Sequence, residues 1–316
     1  MKNILVLGSV AYDYIMDYPQ TFAEHILPDK LHELAISFTL NRLSKTFGGN
    51  GGNTAYTLSL LGQTPTLLSS VGSDDFSSYE AHMQKYGVDL QFVQKIPDEH
   101  TSTAFIMTDK NNCQITGFYE GAGAYNKNIS LPNPKQYAIF TILPSTISAM
   151  MKFVREARDK IPYIYSPAQE ITQLSKEELI EGIIGAEVLL VNDYEIELII
   201  KATGMGKEAL RNAVKVLVTT LGKKGSIIET KDEIIEVGIV PAETVKDPTG
   251  AGDAYIAGFA AGYSSNQLSL EVCGQIGATA ATYAIEQYGT QTHNFTKDEF
   301  SKRFEATFHK PLALFS

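Results

Sequence analysis

From about residue 137 onward, short apolar runs alternate with stretches of helical spacing. Tyr137 to Ile142 leads into Thr146 to Lys160, Tyr163 to Tyr165 into Lys176 to Ile184, and Val188 to Val191 into Tyr194 to Lys201. Runs apolar at consecutive positions, such as Val188-Leu189-Leu190-Val191 and Val216-Leu217-Val218, suit strands buried on both faces, as in a parallel sheet covered by helices. The pattern predicts an α/β doubly wound fold that ends in helices over Gly250 to Tyr263, Ser269 to Glu286 and Thr296 to Thr307. Met1 to Gly8 reads as a first buried strand, its apolar stretch being shorter than a signal peptide's.

Two stretches break the rhythm. Residues 14 to 47 are irregular and punctuated by proline, and Thr103 to Thr108 and Cys113 to Tyr119 read as a hairpin joined by Asp109-Lys110-Asn111-Asn112. Segments near 14–47 and 95–125 are therefore assigned to a small β-sheet lid, and the rest of one 1–316 unit to the main αβα domain.

Composition narrows the class. With 44% hydrophobic and 20% charged residues, the chain has an ordinary globular make-up. A net charge of -10 opposes nucleic acid and anionic membrane as partners, since both would be repelled on average. Two cysteines give neither a disulfide framework nor a zinc spacing, and no run approaches the length of a membrane span. A cytoplasmic enzyme is expected.

Candidate chemistry lies in two glycine clusters. Asp247-Pro248-Thr249-Gly250-Ala251-Gly252-Asp253 reads as a loop entering a helix whose first amides converge on an anion without side chains in the way. Phosphoryl transfer needs such donors and a group that accepts the hydroxyl proton, here Asp253. In isolation, Asp253 reads first as an ordinary first-turn carboxylate. Gly48-Gly49-Asn50-Gly51-Gly52-Asn53 also opens a helix, and reads either as a backbone surface for a ligand, with Asn53 available to vicinal hydroxyls, or as a flexible turn with an asparagine cap. The dinucleotide fingerprint, the P-loop and the nucleophile elbow are absent from the sequence.

These two clusters, about 200 residues apart, resemble those of the ribokinase-like carbohydrate kinases, or PfkB family, over nearly the whole chain. Gly8 to Pro19, Leu27 to Phe38, Val191 to Glu195 and Gly289 to Gln291 are more similar to the bacterial adenosine kinases within it. The resemblance implies a three-layer αβα domain with a mostly parallel sheet, a β lid, ATP with Mg²⁺, K⁺ as a candidate activator, and phosphorylation of the primary hydroxyl of adenosine. A kinase for another nucleoside or a sugar is the alternative, and a non-catalytic sensor a second one.

Carried over by residue, the resemblance makes Asp253 the base and Gly250, Ala251 and Gly252 the anion hole. Ser9, Asp13, Ser37, Gly49 and Asn53 would hold the sugar, and Phe118 the base. Asn192, Thr220, Gly222 and Gly225 would bind ATP, and Glu195 would hold Mg²⁺ through water; taken by themselves, Asn192 and Glu195 read first as a helix cap and a first-turn acid. Two departures stand out. A second lid phenylalanine is replaced by Ala104, with Phe105 one place along and so on the opposite strand face, and Ser166-Pro167 stands where Asp-Pro is expected. An exposed lid edge would allow a homodimer.

Overall fold

The computed structural model describes residues 3–26, 35–111 and 113–315. The adenosine-kinase-like segment Leu27 to Phe38 is thus described only from residue 35, and Asn112 of the hairpin turn lies outside the described residues.

Thirteen strands occur among the described residues: β1 Asn3–Leu7, β2 Ala11–Asp17, β3 Arg42–Gly48, β4 Pro65–Gly72, β5 Val93–Ile96, β6 Ser102–Thr108, β7 Gln114–Tyr119, β8 Tyr137–Ile142, β9 Tyr163–Tyr165, β10 Val188–Asn192, β11 Val216–Thr220, β12 Ser226–Glu229 and β13 Ile234–Val237. The helices are α1 Phe22–His25, α2 Asn50–Leu60, α3 Ser77–Lys85, α4 Ile147–Ala157, α5 Lys176–Ile183, α6 Asp193–Thr203, α7 Lys207–Ala213, α8 Ala251–Ser264, α9 Leu270–Ile285 and α10 Lys297–Phe308.

Nine strands form one sheet in the order β13-β12-β11-β10-β9-β8-β1-β4-β5. It is parallel from β11 to β5, and β12 and β13 extend one edge antiparallel. Consecutive apolar residues feed two cores, as expected of strands covered on both sides. Ile4, Val6, Val188 and Leu190 pack on one face with residues of α2, α8, α9 and α10, while Leu5, Leu7, Leu189 and Val191 pack on the other with residues of α4, α5 and α6. This is the three-layer, mostly parallel architecture anticipated from the sequence.

The remaining strands make a second sheet in the order β3-β2-β6-β7. The predicted hairpin is β6–β7, but residues 14–47, expected as irregular, supply most of β2 and β3, which pair from Ala11–Gly48 to Asp17–Arg42. These strands are half-buried along much of their length, so no clean alternation marked them in the sequence. β2 lies parallel to β6 with Asp13 opposite Ala104, and Ala104 is opposite Phe118 on β7. Among the described residues, no helix is long and apolar enough to cross a membrane.

Candidate active site

The chain leaves β1 for β4 on one side of it and later returns to β8 on the other, so strand order reverses at β1. Crevices at the carboxyl ends of strands form at such a point. Ser9 follows β1 and its amide donates to the Pro144 carbonyl beyond β8 at 3.1 Å. Two cavities open here, of about 550 and 230 Å³, and both have Pro144 and Gln169 in their walls.

Asp253 stands in the smaller cavity, on the first turn of α8, and is only 7% exposed. Asn50 Nδ2 donates to its Oδ1 and Asn53 Nδ2 to its Oδ2, each at 2.8 Å. Burial pushes the Asp253 carboxyl up to about 6, the two asparagine bonds pull against that rise, and the charge of Glu195 adds to it. A carboxylate so placed is held by both oxygens, yet poised to take up a proton near neutrality.

Gly250 caps the start of α8 with a left-handed φ of 79°, and a Cβ there would lie 2.9 Å from Thr290 Cγ2. Gly252 is exposed, and a Cβ there would meet nothing within 4 Å. The first amides of a helix have no intrahelical acceptor; here that of Ala251 turns back to the Pro248 carbonyl at 3.3 Å, and the bare Cα of Gly252 leaves the approach to this helix end unobstructed. Asp247 shapes the approach, its carboxylate accepting from the amides of Thr249 at 2.9 Å and Gly289 at 3.2 Å.

The other glycine cluster is built differently. Gly49 has φ 86°, and a Cβ there would lie 2.5 Å from the Ser9 carbonyl oxygen; one on Gly51 would lie 2.7 Å from the Gly8 carbonyl carbon. Ser9 takes up the end of α2: its Oγ accepts from the Asn50 amide at 3.1 Å and its carbonyl from those of Gly51 and Gly52 at 3.0 and 3.2 Å. These glycines bring chain against chain, and the site gains from them the side chains of Asn50 and Asn53.

Asp13, from β2, lies beside Gly48, with burial and then the charges of Asp253 and Asp247 pushing its carboxyl up to about 6. Phe118, 61% exposed, lines the larger cavity with Ser102, Gln169, Glu170 and Gln173. Phe105 points away from that face and stacks on Tyr14 at 5.3 Å, so the position opposite Phe118 is left to Ala104. Burial and then the charge of Glu120 push the Glu170 carboxyl upward.

Asn192, Glu195 and Thr220 line the smaller cavity with Asp253, and buried Ser166 stands in the same wall. Asn192 and Glu195 also form a capping box: Asn192 Oδ1 accepts from the Glu195 amide at 2.7 Å, and Glu195 Oε2 from the Asn192 amide at 2.9 Å. The cap uses only those two oxygens. Burial is the main cause of the upward push on the Glu195 carboxyl, opposed by the Asn192 amide.

Of the expected residues, Asp13, Gly49, Asn53 and Ala251 stand next to the smaller cavity's residues without lining either cavity, and three more lie outside both. Gly222 and Gly225, with φ 56° and 88°, make the turn from β11 to β12, and Ser37 is exposed in the 35–41 segment. Asn50 was missed in the sequence; its spacing three residues before Asn53 on a helix, which sets both amides on one face, was the signal.

A model of pfkB family carbohydrate kinases matches residues 1–297. A nucleoside kinase of Methanocaldococcus jannaschii is 34% identical over 96% of this chain and 97% of its own. The structure of a Burkholderia thailandensis nucleoside kinase in complex with inosine superimposes with a TM-score of 0.90 at 29% identity, covering 98% of this chain and all of that one. Its ADP-inosine complex gives 0.84 at 31% identity, over 98% and 97%.

Proposed function

This chain belongs to the pfkB family of carbohydrate kinases, and from that premise we propose that it transfers the γ-phosphoryl group of ATP to the primary ribose hydroxyl of a nucleoside, adenosine in particular. The observation that carries the reading is Asp253, held by Asn50 and Asn53 at the open start of α8, in a cavity that shares walls with a larger one. The relatives named nucleoside kinases, one with inosine and another complex with ADP and inosine, support the acceptor class and the donor.

In this reading the ribose hydroxyl gives its proton to Asp253 as its oxygen bonds to the γ-phosphorus, the bond to the β–γ bridging oxygen breaks, and ADP leaves. The amides of Gly250, Ala251 and Gly252 meet the charge on the transferred oxygens. Asp13 and Asn53 hold ribose hydroxyls beneath the small sheet, which acts as a lid, and Phe118 offers a face to the base. Among the described residues, no three His, Cys, Asp or Glu side chains stand where they could share a metal ion. Mg²⁺ would be held through water by Glu195, with Asn192 in the same cavity wall, and would neutralise phosphate charge there.

Ala104 opposite Phe118 favours a second reading, in which one ring face holds the base and several nucleosides are accepted. ADP release measured with adenosine, inosine, guanosine, cytidine and ribose separates these readings. Turnover of adenosine well above the rest supports the first and comparable turnover of several nucleosides the second, while turnover of ribose alone would overturn both.

A further inference from the structure

Gln291 has no part in that scheme, yet it is 5% exposed and sits behind the catalytic carboxylate. We propose that Gln291 is a positioning residue that fixes which end of the Asn53 amide faces Asp253. The inference rests on the reading of Asp253 as base.

The argument runs through a chain of donors. The Tyr79 hydroxyl gives its one proton to the Gly48 carbonyl at 2.7 Å, so toward Gln291 it can only accept, and Gln291 must present Nε2 to it. The second proton of that nitrogen serves Asn53 Oδ1, 2.9 Å away. With its oxygen claimed, Asn53 turns Nδ2 to Asp253. The two ends of an asparagine amide have nearly the same shape, so packing alone does not choose between them. Reversed, the amide would set its oxygen against a carboxylate oxygen and withdraw a donor from the buried anion. Tyr79 from α3 and Gln291 from the 289–292 turn thus orient Asn53 on α2 toward Asp253 on α8.

The charged groups whose fields reach this network are Glu195 on α6 and Asp13 on β2; His82 on α3 interacts with Gln291, but burial pushes its imidazole down, toward the neutral form. Neither carboxylate can donate to Asn53 Oδ1, so neither can do what Gln291 does.

The test is Gln291→Met, which keeps the length and removes the donor. The kcat falls about tenfold or more, as expected when a reacting group loses its orientation, while KM changes less. The Asn53 side-chain amide resonances move in ¹⁵N spectra, and in an Asn53→Ala background the same substitution adds less than about twofold, because its effect passes through Asn53. Tyr79→Phe, which touches neither Asn53 nor Asp253, gives a smaller loss in the same direction and serves if the Met variant does not fold. A folded Gln291→Met enzyme with wild-type kcat and unmoved Asn53 resonances overturns the proposal, as does an equal loss in the Asn53→Ala background. A wild-type protein inactive on every nucleoside removes the proposed function instead, and the Asn53 resonances still report the orientation.

Discussion

Two glycine-rich helix starts meet at this site, and they use glycine for opposite ends. At α2 the missing side chains let backbone press on backbone, Gly51 against Gly8 and Gly49 against Ser9, and Ser9 consumes the first three amides of the helix. At α8 a side chain on Gly252 would meet nothing within 4 Å, and the Ala251 amide turns back to the Pro248 carbonyl, with no neighbouring element pressed on the helix start as Ser9 is on α2. The same residue type seals one helix and leaves the other free to receive an anion. A count of glycines does not separate the two cases; what each missing Cβ would have met does.

The sharpest way to break the contrast is to remove the base at the open end. Asp253→Asn should lower kcat by about 100- to 10,000-fold, the range for a lost general base, with the nucleoside still bound in a calorimetric titration. Near-normal turnover would show that the open end only binds.

Alanine should then separate the ends by kind of damage. In Gly51→Ala the new carbon would lie 2.7 Å from the Gly8 backbone, an overpacking worth about 1 to 3 kcal/mol or more, seen as a lower Tm. In Gly252→Ala the helix gains up to about 1 kcal/mol in propensity, so Tm rises while kcat/KM for ATP falls. A Gly252→Ala enzyme of full activity would argue against an anion at that spot.

A pH profile reads the same carboxylates. Asp253 and Asp13 are both pushed from 3.8 up to about 6, chiefly by burial. The base must be ionised to work, so kcat/KM should fall about fivefold between pH 6 and pH 5 and about tenfold for each pH unit below that. Stability runs the other way: the contribution of these groups is fully present below pH 3.8 and is lost as pH rises through about 6, because burial penalises the charged form. An acid limb centred near 4 would place the essential carboxyl elsewhere.

The smallest effect belongs to the sealed end. Ser9→Ala removes the Oγ acceptor of the Asn50 amide and should cost about 0.5 to 2 kcal/mol, read as a Tm shift of a few degrees. No shift would mean that the Ser9 carbonyl alone closes α2.

Much of the scaffold was legible because parallel strands and their covering helices carry strong periods. Ser269 to Glu286 became Leu270–Ile285, and Thr296 to Thr307 became Lys297–Phe308. The small sheet was only half visible, since β2 and β3 lack a fully buried face, and the antiparallel edge β12–β13 went unread. At the site, the sequence pointed to Asp253 and Asn53, which the fold brings together across 200 positions. It did not reveal Asn50 as a donor or Ser9 as a cap, because those roles depend on how β1, α2 and α8 approach one another.

The register of the small sheet has one more consequence. Asp13, Ala104 and Phe118 occupy one row across β2, β6 and β7, so the backbones that carry the carboxylate and the ring stand two strand spacings apart, about 9.6 Å at roughly 4.8 Å each. Backbone hydrogen bonds, not side-chain packing, hold that separation. The sheet is a fixed gauge: if Asp13 takes the sugar and Phe118 the ring, as proposed, the acceptor must have the length of a sugar joined to a flat ring.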